Sequence, residues 1–87
     1  MIEIIKENCI IVNFREYEND DIFIVFMIKG QGFLKGILKA EQRRLTGEIR
    51  HFYDAQIGYA ASEDEDETLA IINLKMMGKA EGSPPAF

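Results

Sequence analysis

Ile22-Phe23-Ile24-Val25-Phe26-Met27-Ile28 is apolar at every position. A strand apolar on both faces is usually central or covered on each side, so this run predicts the core strand of the chain. Asn19-Asp20-Asp21 precedes it with a turn composition. Lys29-Gly30-Gln31-Gly32 follows, with two glycines free to adopt positive φ. Upstream, Ile10, Val12 and Phe14 alternate with Cys9, Ile11 and Asn13, which predicts a strand over Cys9 to Phe14. Ile2 to Ile5 is a shorter apolar start, and Lys6-Glu7-Asn8 reads as the turn of a hairpin between the two.

From Phe33 to about Tyr53 the period changes. Leu34, Ile37, Leu38, Leu45, Ile49 and Phe52 fall within an arc of about 120° on a helical wheel. Lys35, Lys39, Arg43 and Arg50 occupy a separate arc of about 80° beside it. The segment therefore reads as an amphipathic helix with a basic flank. Thr46-Gly47 is its weak point, since glycine costs about 1 kcal/mol relative to alanine inside a helix. A break there would leave Thr46 to cap a second helix. A rival reading makes Phe33 to Ala40 a strand, paired with Ile22 to Ile28 through the Lys-Gly-Gln-Gly turn. The adjacent pairs Phe33-Leu34 and Ile37-Leu38 alternate poorly and speak against it. Gln56 to Ala61 fits a helix tail or a short strand. Thr68 to Met77 comes near period two and reads as a strand.

The fold class these elements imply is α+β. A small antiparallel sheet of four to five strands, in the order β-β-β-α-β, would carry one main amphipathic helix. The expected core is Ile10, Val12, Phe14, Ile24, Phe26, Ile28, Leu34, Leu38, Leu45, Ile49, Phe52, Leu69, Ile71 and Leu74. Eighty-seven residues make one domain. It is expected over residues 1–77, with 78–87, which holds Gly78, Gly82, Pro84 and Pro85, as a flexible tail.

Charge is arranged acid, base, acid. Glu16, Glu18, Asp20 and Asp21 form one acidic segment, and the uninterrupted run Glu63-Asp64-Glu65-Asp66-Glu67 forms another. Like charges side by side repel, so such runs are solvated loops or interaction surfaces. The net charge of −5 disfavours a dedicated DNA-binding domain, which needs phosphate-neutralising Lys and Arg. The EF-hand spacing is absent from the acidic run, and no Cys/His cluster suits zinc. Gly30-Gln31-Gly32 resembles the start of a phosphate loop, but Gly36 falls one place late. His51, the only histidine, reads as a partly buried structural residue. Cys9, the only cysteine, reads as a buried small hydrophobe. Neither Ser62 nor Ser83 has a nucleophile-elbow context.

No catalytic group, metal or cofactor is therefore expected. The leading expectation is a small acidic non-enzymatic protein that inhibits a basic, nucleic-acid-processing protein. That is the character of an immunity protein, an antitoxin or a phage-encoded inhibitor. Glu63, Asp64, Glu65, Asp66 and Glu67, helped by Glu16, Glu18, Asp20 and Asp21, would cover the partner's basic site. The alternatives are a small dimeric nucleic-acid-binding regulator that uses Lys35, Lys39, Arg43 and Arg50, or a structural assembly subunit. The sheet edges make a homodimer plausible. The longest apolar stretch is far shorter than the about 20 residues of a membrane span, and no signal peptide is visible. A soluble cytoplasmic protein is expected.

Overall fold

A computed structural model describes residues 3–62 and 68–79. Strand β2, Ile22–Ile28, lies where its apolar run predicts and buries every second residue, Ile22, Ile24, Phe26 and Ile28. The chain turns at Gly30 and Gly32, both at positive φ, and the Gln31 N–H donates to the Ile28 carbonyl. It returns as β3, Gly32–Leu38, antiparallel to β2. The hairpin that the alternating pattern disfavoured is thus the one that forms, and the expected helix over 33–53 does not. The reason lies in what β3 places on each face. Leu34, Gly36 and Leu38 point inward while Phe33, Lys35 and Ile37 point outward, so period two is hidden by a glycine inside and two apolar residues outside. Gly36 is required by close approach. A Cβ there would lie 2.7 Å from Ile71 Cγ1 and 3.0 Å from the Leu69 carbonyl.

β1 is one strand, Ile4–Glu16, and the turn expected at Lys6-Glu7-Asn8 is absent. Those three residues pair with Gly58, Ile57 and Gln56. Their turn-like composition is overridden by a partner strand on one side. The first half of β1 pairs with β4, Tyr53–Ala60, and the second half pairs with β2. The register shifts between Ile11 and Asn13 against β2, leaving Val12 as the extra residue of a bulge. Before the bulge Cys9 and Ile11 face the core. After it the parity inverts and Phe14 packs inward. The expected inward set Ile10, Val12 and Phe14 is therefore right only at Phe14.

Helix α1 is confined to Ala40–Thr46 and buries none of its residues. It stops at Gly47, whose φ of 81° ends the helical path. Among the described residues no second helix follows. The Thr46 hydroxyl lies 3.1 Å from the Gln42 carbonyl and 2.8 Å from the Leu74 carbonyl on β5, Leu69–Lys79, and so fastens the helix to the flank of that strand. Leu45, expected in the core, is 81% exposed. Ile49, beyond the helix, is the residue that joins the core. β5 continues through Gly78 and Lys79, where the tail was expected to begin, and residues 80–87 lie outside those described.

The strands close into a barrel in the order β1-β2-β3-β5-β4. All pairs are antiparallel except β3 with β5, which runs parallel over Gly36–Leu38 and Leu69–Ile71. The expected α+β class is what the chain forms: a five-strand, mostly antiparallel sheet with one seven-residue helix packed on it. A five-stranded closed barrel with its helix between the third and fourth strands has the connectivity of the OB-fold.

Candidate functional site

The acidic segment and the basic stripe, separate in the sequence, meet in space. Arg43 on α1 donates both terminal nitrogens to Glu16 at the end of β1, at 2.8 and 2.9 Å, and reaches the Asp20 carbonyl at 3.3 Å. The hydrogen bonds from Arg43 hold the Glu16 carboxyl below its usual range. Asp21 is buried. Its Oδ1 accepts the Ala40 N–H at 2.9 Å and its Oδ2 accepts Lys39 Nζ at 3.3 Å. The backbone bond from Ala40 is the main cause of its lowered pKa, with Lys39 adding to it. Lys39, the cap residue of α1, makes no cap with its own side chain, and Asp21 does that work from the head of the neighbouring strand, where Ile22 pairs with Leu38.

The four bases expected as one helix stripe are dispersed. Lys35 stands on β3, Lys39 at the start of α1, Arg43 within it and Arg50 in the loop beyond. Arg50 donates to Glu48 at 2.8 Å and stacks 5.8 Å from the Tyr53 ring centroid. Of the expected acids, Glu16 and Asp21 are engaged internally. Glu18 and Asp20 sit exposed in the 3-10 turn Glu18–Asp20 between β1 and β2. Glu63 to Glu67 lie outside the described residues.

The surface that sequence reasoning missed is the outer face of β1, β2 and β3. The register sets Ile10 beside Met27, Asn13 beside Val25 and Arg15 beside Phe23. Across the hairpin, Phe23 lies beside Ile37, Val25 beside Lys35 and Met27 beside Phe33. Phe33 is 68% exposed. Phe23 is flanked by the Arg15 guanidinium, 5.0 Å above its ring, and by the Tyr17 ring, 6.4 Å away and tilted 29°. Arg15 and Lys35 are the charged residues of this face, and no carboxylate points from it. The signal was present in the two-sided apolarity of Ile22 to Ile28, which reads equally well as a covered central strand.

The remaining chemistry is sparse. Cys9 is buried, and burial first, then the nearby Asp54 carboxylate, pushes its thiol up to about 12. It is no nucleophile. His51 is exposed, where a partly buried position was expected. It stacks on Phe14 at 4.5 Å and places Nε2 3.2 Å from Asn13 Oδ1. Elsewhere on the barrel, Lys6, Glu7, Asn8, Gln56, Ile57, Asn73 and Lys75 line an open groove of about 450 Å³. Among the described residues no group of three or more His, Cys, Asp or Glu could hold a metal ion, and no helix is long and apolar enough to cross a membrane. No family model matches the chain, and no curated protein is recognisably similar to it.

Proposed function

We propose that this protein is a binding module for single-stranded nucleic acid and that the outer face of β1, β2 and β3 is its platform. The observation that carries this reading is the composition of that face: exposed Phe33 and Tyr17 and half-buried Phe23 stand with Arg15 and Lys35, and no carboxylate belongs to the paired outward positions. Bases stack on aromatic rings whatever their sequence, and cations beside the rings meet the phosphates. In barrels of this connectivity the β2–β3 face serves oligonucleotides and oligosaccharides, which supports the reading by analogy of fold alone. The net charge of −5 opposes it in sum but not in place. Glu16 and Asp21 are paired with Arg43 and Lys39. This reading shares Lys35 with the expected basic stripe and otherwise differs from it in residues and mechanism.

Fluorescence anisotropy with labelled oligo(dT) and oligo(U) of fifteen or so nucleotides tests it. Arg15 and Lys35 together would give a plot of log affinity against log salt with a slope of about −1.4. Duplex DNA of equal length is expected to bind more weakly. Absence of binding to either oligomer at low salt would sink the proposal.

The inhibitor reading remains a competing proposal. It now rests on Glu18 and Asp20, which sit exposed in the 3-10 turn, and on the run 63–67. A tagged protein that retains a basic protein at low salt and releases it when Glu18 and Asp20 are changed to lysine would favour that reading instead.

A further inference from the structure

We infer that the loop between α1 and β4 carries a second stacking element, Phe52 with His51, which extends the single-strand site past β1. The inference rests on the reading above and deepens it. Phe52 sits at φ 59°. The left-handed region suits glycine and asparagine, and a bulky residue there is a genuine outlier. Its backbone is pinned in that state by the N–H bond to the Ile11 carbonyl, 2.6 Å, beside the β1 bulge. The ring gains little in return, because Phe52 is 62% exposed and makes no part of the core. The bond to Ile11 accounts for the backbone but not for a bulky apolar ring held in water at that position, and a ligand stacked on the ring would.

The neighbours fit the same ligand. His51 lies 6.3 Å from Phe52 between ring centroids and bonds to Asn13, which stands beside Val25 on the outer face. The loop is thereby continuous with the platform: Phe33 on β3, Phe23 on β2, Arg15 and Asn13 on β1, then His51 and Phe52. Phe33 lies level with Met27, and Phe23 lies level with Arg15 four residues away along β2, so a strand touching both rings runs along the hairpin, while Asn13, level with Val25 between them, leads across β1 to His51. Glu48, the loop's own carboxylate, is engaged by Arg50, so local charge leaves the path open to phosphates.

The chain has no tryptophan, so a single introduced one reports its own position. Phe52→Trp and, separately, Phe33→Trp are titrated with oligo(dT). Quenching of both emissions on binding is the expected result. Quenching at position 33 with none at 52 overturns the loop's role and leaves the platform standing. No quenching at either position, together with no anisotropy change, removes both. Phe52→Gly supplies an independent readout. It is expected to melt no lower than the parent, since glycine accepts φ 59°, and to bind oligo(dT) at least five-fold more weakly. A lowered melting temperature with unchanged affinity would make Phe52 a structural residue and overturn the inference.

Discussion

Arg43 and Glu16 are 27 residues apart in sequence and hold each other by two parallel hydrogen bonds of 2.8 and 2.9 Å. Both had a separate outward role in the sequence reading, one in a basic stripe and one in an acidic surface. Together with Lys39 and Asp21 they dock α1 against the β1–β2 loop. The short helix needs this, because none of its residues is buried and seven residues are too few for an isolated helix.

Acid should loosen that dock. Glu16 and Asp21 titrate below their ordinary values of 4.5 and 3.8 in the folded chain. A depressed folded pKa gives stability that is whole above the unfolded value and is lost as pH falls through the folded one. Thermal unfolding followed at pH 7, 4 and 2.5 is expected to show a fall confined to the range below about pH 5. Asp21→Asn should lower stability at pH 7 and flatten the dependence. An equally steep acid limb in Asp21→Asn with Glu16→Gln would assign it to other carboxylates.

The two faces of the β2–β3 hairpin should separate stability from binding. Phe26 is fully buried, and truncation of such a residue to alanine costs about 3–5 kcal/mol. Phe33 stands on the outer face, and Phe33→Ala should change stability by no more than about 0.5 kcal/mol. Its effect belongs to the ligand: stacking worth about 1–3 kcal/mol per base corresponds to roughly 5- to 150-fold in affinity. Urea denaturation and oligo(dT) binding, measured on both variants, would show whether these effects divide as stated.

Gly36→Ala tests the close approach of β3 and β5. The added Cβ would lie 2.7 Å from Ile71 Cγ1 and 3.0 Å from a backbone oxygen that cannot rotate away. Overpacking of this kind costs about 1–3 kcal/mol. At about 4–8 °C per kcal/mol for a domain of this size, a clear drop in melting temperature is expected. An unchanged melting temperature would mean that the seam has slack that its distances do not suggest.

Cys9 should behave as a clock for unfolding. A thiol at about 12 inside the core is neither ionised nor accessible at neutral pH. Its reaction with a disulfide reagent is expected to be negligible in the native protein and rapid in denaturant. Fast native labelling would place the opening of β1 well below global unfolding in free energy.

Sequence patterning was most legible where a strand is buried on its inner side and simple in composition. Ile22 to Ile28 and the strand near Thr68 to Met77 appear as β2 and β5. It failed where two periodicities overlap. Leu34, Ile37, Leu38, Leu45, Ile49 and Phe52 share an arc on a wheel, yet they divide among a strand, a short helix and a loop. Phe52 and Leu45 end up exposed while Ile49 closes the core. The bulge at Val12 was likewise invisible, since one extra residue leaves no mark on composition. The outer platform escaped for a related reason. Phe23, Val25 and Met27 look the same in sequence whether another layer covers them or a ligand does. The contacts of Glu16 with Arg43 depend on topology alone, which no local pattern encodes.

The parallel pairing of β3 with β5 spans three residue pairs and is the shortest ladder in the barrel. A hoop is only as tight as its clasp, and here the clasp is fastened at a residue with no side chain. β3 belongs both to that clasp and to the outer platform, so whatever lies across Phe33 and Lys35 also leans on the joint. Occupancy of the face would then be felt as a tightening of the whole ring, with amides at Leu38 and Ile71 exchanging more slowly when the platform is filled.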